Sequence, residues 1–169
     1  MRVLETERLR LRKLTIEDSK FILELLNDPS WLNFIGDKGM RTLDDARDYI
    51  LKNPVAMYER RDFGLYLAEL KNEDVSIGLR GLIKRDSLED VDTRFAFLPK
   101  FRRKEYAYEA SAAVMDYGRR AFGLNRIVAI ASLNNYDSAK LLKKLGFSFE
   151  RIVKLSNDSE RVKLFTSDV

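Results

Sequence analysis

The chain has 169 residues, 45% hydrophobic and 34% charged, and its 31 Lys and Arg against 27 Asp and Glu leave a formal charge of +4. This is the composition of one ordinary globular domain over residues 1–169, and its lean towards anionic partners is too weak to indicate nucleic acid without a localised basic face. The absence of both Cys and His excludes disulfides, thiolate nucleophiles, Ser-His-Asp triads, histidine bases and Cys/His zinc sites, which leaves carboxylates, hydroxyls, Lys, Tyr, backbone groups or a bound cofactor to carry any chemistry.

In chain order, R8-L-R-L-R12 alternates cationic and apolar residues, as a strand with one buried face does. Thr15 with Asp18 three residues on is a capping signal for a helix with the apolar stripe Ile22, Leu25 and Leu26, ended at Asn27-Asp28-Pro29. The signal recurs at Thr42 and Asp45, ahead of Ala46, Tyr49 and Ile50, with Pro54 read as the stop and Y58-E-R-R-D62 as a solvated loop in preference to a site for an acidic substrate. Trp31 and Phe34, between these helices, read as packing or as the wall of an acceptor pocket. Residues 63–70, 75–83 and 91–98 form three strand-like runs separated by turn-rich segments, most economically an antiparallel meander. Gly78 and Gly81 inside the second run signal a bulge or a close backbone contact.

From Tyr106 the period becomes helical through Ala110, Ala113, Val114 and Tyr117, with Gly118 or Gly123 as the end. R126-I-V-A-I-A-S132 is a strand covered on both faces. N135-Y-D-S-A-K-L-L-K-K-L145 is a short helix that buries Leu141, Leu142 and Leu145 before Gly146, and 147–153 and 161–166 pair as a last hairpin. The expected architecture is α+β, with a mixed, mostly antiparallel central sheet of about six to seven strands flanked by about four helices. No stretch is long and apolar enough to cross a bilayer, and M-R-V-L-E-T-E-R lacks a signal-peptide core, so a cytoplasmic protein is expected.

One segment demands a chemical reading. K100-F-R-R-K-E105 places four cations and a glutamate in the loop before the Tyr106 helix. The free N–H groups of a helix N-terminus attract phosphate, and Lys100, Arg102, Arg103 and Lys104 strengthen that field; a solvated basic turn is the alternative.

With D92-T-R-F-A-F-L-P99, Y106-A-Y-E-A110 and N135-Y-D-S-A-K-L-L-K-K-L-G-F147 in this order, residues 3 to 153 resemble the GNAT superfamily of acyl-CoA-dependent N-acetyltransferases. The opening E5-T-E-R-L-R-L-R12 is similar to the branch that includes the ribosomal-protein N-terminal acetyltransferases. The resemblance implies acetyl-CoA as co-substrate and a primary amine as acceptor: a protein N-terminus, a small-molecule amine or an amino sugar, in that order. It implies that the backbone of Phe97 and Leu98 binds the pantetheine arm, that the N–H groups of Arg102, Arg103, Lys104, Glu105, Tyr106 and Ala107 cradle the pyrophosphate, and that Asn135 bonds the arm. Asp92 is then a base acting through water or an exposed strand acid. Ser138 is a donor to the leaving thiolate or only a helix cap, and Tyr136 is a second donor. The family's loop pattern, Q/R-x-x-G-x-G/A, has Arg103 and Glu105 at its two glycine positions here, which suggests as the other reading a non-catalytic interaction module with impaired acetyl-CoA binding. A nucleic-acid-binding domain is the third reading, and the small net charge speaks against it. No metal site is expected, and a homodimer is left open.

Overall fold

The structure, a computed structural model, describes residues 2–29, 39–102, 104–156 and 160–168. Trp31, Phe34 and Arg103 lie outside these residues, as does the turn at 157–159. Eight strands form one sheet: β1 (Arg2–Glu5), β2 (Leu9–Lys13), β3 (Leu65–Leu70), β4 (Val75–Ile83), β5 (Val91–Phe97), β6 (Arg126–Ser132), β7 (Ser148–Lys154) and β8 (Arg161–Asp168). Their order is β1-β2-β3-β4-β5-β6-β8-β7, and every neighbouring pair is antiparallel except β5 and β6. The strand that the sequence reading lacks is β1. It is four residues long, too short for its alternation to register, and it exists because Arg2, Leu4 and Glu5 pair with β2.

Helices α1 (Ser19–Leu26) and α2 (Leu43–Ile50) start from the capping boxes Thr15–Asp18 and Thr42–Asp45, the first through a 3-10 turn at Ile16–Asp18. Pro54 does not end α2. The chain widens into a π-helical turn, Leu51–Val55, and continues as α3 (Ala56–Arg61) to Asp62, which is left-handed at φ 66°. In a π turn, residue 54 faces the Tyr49 carbonyl; Pro54 has no N–H, and the Asn53 side-chain amide takes that carbonyl at 3.1 Å. Segment 58–62 is therefore helical rather than a loop, and Tyr58 is buried. Its hydroxyl accepts from Leu14 N at 3.0 Å and donates to the Leu65 carbonyl, so α3 is tied to the ends of β2 and β3.

The strands' alternation divides the core into two layers. Leu67, Leu79 and Ala96, paired across three strands, face Ile22, Leu25, Ala46 and Ile50 of α1 and α2. Tyr66, Ala68, Leu82 and Phe97 face α4 (Tyr106–Phe122) and α5 (Tyr136–Lys144) through Ala110, Val114, Ala139 and Leu142. Gly123, at φ 63°, closes α4, whereas Gly118 lies inside the helix and packs near Leu82. Leu141 and Leu145 are half-buried, so α5 is anchored chiefly by Ala139 and Leu142. The β3–β4 ladder has a bulge at Ile77, beside Gly78, and Gly81 allows a close approach: a Cβ there would stand 2.1 Å from the Gly64 carbonyl oxygen.

Glu109, in the first turn of α4, fastens the β1–β2 turn to the helix. It accepts from the Thr6 hydroxyl, from Arg8 N at 2.9 Å and from Arg8 Nε at 2.7 Å. Burial alone raises a carboxyl pKa, but these three hydrogen bonds and the Arg8 charge hold Glu109 below the usual glutamate range.

Two stability predictions follow from these contacts. Gly81→Ala will destabilise the fold by about 1–3 kcal/mol in denaturant titration, because backbone cannot yield as a side-chain tip does. A group with a lowered folded-state pKa stabilises fully above its unfolded pKa and loses that contribution as pH falls through the folded value. Glu109→Gln will therefore cost about 2 kcal/mol at pH 7 and flatten the acid side of the stability curve below about pH 4.5.

Candidate active site

Each half of the sheet is zipped along its full length, but the halves barely touch. β5 pairs with β4 from Asp92 to Phe97, and β6 pairs with β8 from Arg126 to Ser132. Between β5 and β6 only Val91↔Ile127 and Asp92↔Val128 pair, in parallel. Beyond Asp92 the strands separate, and a cleft opens between Thr93–Phe95 and Ala129–Ser132, with Asn135 and Ser138 also on its wall. Its enclosed space of about 70 Å³ suits the acyl end of a thioester and not a nucleotide.

The hydrogen-bond phase of β5 decides what its backbone offers there. Leu98 N donates to the Ile77 carbonyl at 2.9 Å, so by antiparallel alternation the peptide groups of Phe95 and Phe97 point away from β4 and towards the opening. Leu98 itself is committed: its N–H goes to β4 and its carbonyl accepts from Phe101 N at 3.0 Å. The Phe97 carbonyl accepts from Arg102 Nη2 at 3.3 Å, so one of the four cations reaches back onto the strand edge.

Of the three residues expected to do chemistry, Ser138 alone reaches the cleft. Asn135 caps α5 by accepting from Ser138 N at 3.2 Å, which sets both residues on the cleft wall, and the Ser138 hydroxyl carries no hydrogen bond among the described residues. Tyr136, one residue into the helix, is 72% exposed and has Lys163 over its ring. Asp92 is fully buried at the last paired position, 2.7 Å from Arg85 Nε. Burial pushes its carboxyl up, and the Arg94, Arg85 and Arg80 guanidiniums pull it down. It does not line the cleft.

Beyond the end of β5 the chain passes through a 3-10 turn, Pro99–Phe101, to the N-terminus of α4. Glu105 is the residue before the helix, it gives no side-chain cap, and it adopts φ 67°, ψ 8°, the left-handed conformation that glycine favours. The N–H groups of Tyr106, Ala107 and Tyr108 have no hydrogen-bond partner among the described residues. The Glu105 carboxylate is taken by Lys144 of α5 at 2.5 Å, and Lys144 also lies over the Tyr108 ring at 4.5 Å. Lys104 is exposed, and its carbonyl accepts from Arg8 Nη1 at 3.1 Å.

Sequence reasoning passed over Arg94, which lines the cleft, and Arg80, which is fully buried one strand away. Arg80 announces itself as a lone cation inside an otherwise largely apolar strand run, and Arg94 as the one cation of its strand. Among the described residues no group of His, Cys, Asp or Glu is arranged to hold a metal ion, and no helix is long and apolar enough to cross a membrane.

The strain at Glu105 is measurable. In a Lys144→Ala background, where the ion pair is already absent, Glu105→Gly will raise stability by up to about 1 kcal/mol in denaturant titration.

The chain is similar in sequence and in fold to known proteins. The chain is 28% identical over 149 residues to the uncharacterized N-acetyltransferase YnaD of Bacillus subtilis (strain 168), covering 88% of this chain and 84% of that one. In fold it is similar to the crystal structure of a GNAT-family acetyltransferase from Bacillus anthracis, with TM-score 0.81, 24% identity and coverage of 99% and 98% of the two chains. It is also similar to RimL, a ribosomal L7/L12 alpha-N-protein acetyltransferase solved with coenzyme A, with TM-score 0.84, 16% identity and coverage of 100% and 98%. The acetyltransferase (GNAT) domain model matches residues 8–148, a span that contains the cleft strands, the α4 N-terminus and α5, and the chain belongs to that family.

Proposed function

We propose that the protein moves an acetyl group from acetyl-CoA to a primary amine by direct attack, with no covalent enzyme intermediate. The observation that carries this reading is the opening between β5 and β6, into which the backbone of Phe95 and Phe97 points. An extended amide chain laid along that edge gains ladder-type hydrogen bonds, as an added strand does. The unpartnered N–H groups of Tyr106, Ala107 and Tyr108 lie at the N-terminus of a 17-residue helix, which favours the pyrophosphate, with Arg102 and Lys104 contributing charge. Arg102 exchanges its bond to the Phe97 carbonyl for the incoming group. Acetyl-CoA supplies the activated acyl carbon, with the thiol of coenzyme A as leaving group; the chain orients that carbon and holds the proton donor.

Ser138 is that donor. A thiol with pKa near 8.5 needs little assistance, so one hydroxyl on the cleft wall suffices. Among the described residues the lining contains no side chain able to act as a base, since Asp92 is enclosed behind it. The acceptor must then arrive neutral. At pH 7 roughly 10% of an α-amine with pKa near 8 is neutral, against about 0.04% of a lysine-type amine, so a cleft without a base favours α-amines.

Calorimetric titration with acetyl-CoA tests the reading, with micromolar binding as the expected result. Ser138→Ala will lower kcat roughly tenfold at unchanged acetyl-CoA affinity. The rate will rise with pH to the acceptor's own pKa, with no limb from an enzyme carboxylate. The Lys144–Glu105 pair and the Arg102 contact favour a second reading, a cradle closed against acetyl-CoA. It predicts no binding by the wild type and binding by an Arg103→Gly, Glu105→Gly double variant.

A further inference from the structure

The interior beside the cleft holds more positive charge than the described residues neutralise. Three guanidinium groups, from Arg80, Arg85 and Arg94, act on the single carboxylate of Asp92. Arg85 takes that carboxylate at 2.7 Å. Arg80 is 0% exposed, its Nε, Nη1 and Nη2 have no hydrogen-bond partner among the described residues, and the Phe95 ring lies 5.1 Å from its Cζ. Arg94 has no ion pair or hydrogen bond among the described residues, and the only groups lending it favourable charge are Asp92, already claimed, and Tyr49. It is largely enclosed by protein yet keeps a partly exposed side in the cleft. A buried cation without a counter-charge is costly, and the cost falls when an anion is delivered to it.

We infer that Arg94 recognises a carboxylate on the acceptor, so that the substrate class is an α-amine carrying a nearby carboxylate: a free amino acid, or a peptide N-terminus with an acidic residue beside it. This inference rests on the acetyl-transfer reading of the same cleft. The side chain leaves β5 on the side of Asp92 and Ala96, which is the face covered by α1 and α2, whereas α4 and its N-terminus cover the other. An acceptor entering from the Arg94 side thus meets the thioester without crossing the cofactor arm. The planar guanidinium offers two parallel N–H donors, which fit a carboxylate bidentately. The same charge repels an ammonium group, which favours the neutral attacking amine and disfavours polyamines as acceptors.

The probes are acetylated products, so that amine protonation plays no part: N-acetyl-L-alanine against N-acetyl-L-alaninamide for the free amino acid, and acetyl-Ala-Asp-Ala-amide against acetyl-Ala-Asn-Ala-amide for the peptide. Each is titrated calorimetrically into the full-length protein with and without coenzyme A. At least one acid is expected to bind ten-fold or more tightly than its amide, and the pair that does so identifies the source. Arg94→Gln should abolish the difference, with Arg94→Lys recovering part of it. Equal binding of acid and amide in both pairs by the wild type would overturn the inference, and this comparison needs no variant to fold. A protein that binds coenzyme A and transfers acetyl groups without distinguishing acid from amide loses the Arg94 role and keeps the proposed function; one that distinguishes them but never binds coenzyme A does the reverse.

Discussion

The two-residue parallel contact between β5 and β6 is the constraint on which the molecule's chemistry depends. On their outer sides both strands are held by full antiparallel ladders, so neither is free to follow the other once twist carries them apart. Pairing at Val91 and Asp92 fixes the apex, and the hydrogen-bond phase set by Leu98 and Ile77 then decides which peptide groups face the gap. A one-residue slip of β5 would present Ala96 in place of Phe95 and Phe97 and turn Arg94 to the other face. The site is thus a property of register as much as of side chains.

Much of this arrangement is legible in the sequence because local signals and packing agree. The two capping boxes, the helical period from Tyr106, the β-branched run at 126–132 and the left-handed closure at Gly146 all recur in the structure. Where the reading departs, tertiary contacts override a local rule. Pro54 is tolerated because a π turn and the Asn53 amide satisfy the groups that it would orphan. β1 exists through its partner strand rather than through its own pattern. Helix phase, which a motif does not reveal, turns Tyr136 outward and Ser138 inward. Asp92 stands where the motif put it, and only the burial of its neighbours shows that it faces an arginine rather than the cleft.

Electrostatics is divided between the two sides of the sheet. At the α4 N-terminus the charges are largely matched, with Glu105 held by Lys144 and Glu109 by Arg8, which leaves the backbone N–H groups as the proposed anion site. Around Asp92 the balance is positive and enclosed. Arg80, on the α4-facing side of β4 with Leu82, adds to that field from the other face: burial pushes its guanidinium down to about 9, still well above neutral pH, so the cation persists inside the fold. On the proposed reading, such an imbalance next to the cleft gives the acceptor side a sign, while Glu105 holds at the cofactor side the left-handed conformation that glycine favours.

The alternation along β5 offers the most direct measurement of the account. Amide hydrogen exchange of the protein with and without acetyl-CoA should slow at Phe95 and Phe97 by ten-fold or more, while Ala96, already bonded towards β4, changes little. Slowing that falls on all three alike, or that leaves Phe95 and Phe97 untouched when acetyl-CoA is bound, would contradict a cleft in which the strand edge holds the thioester arm.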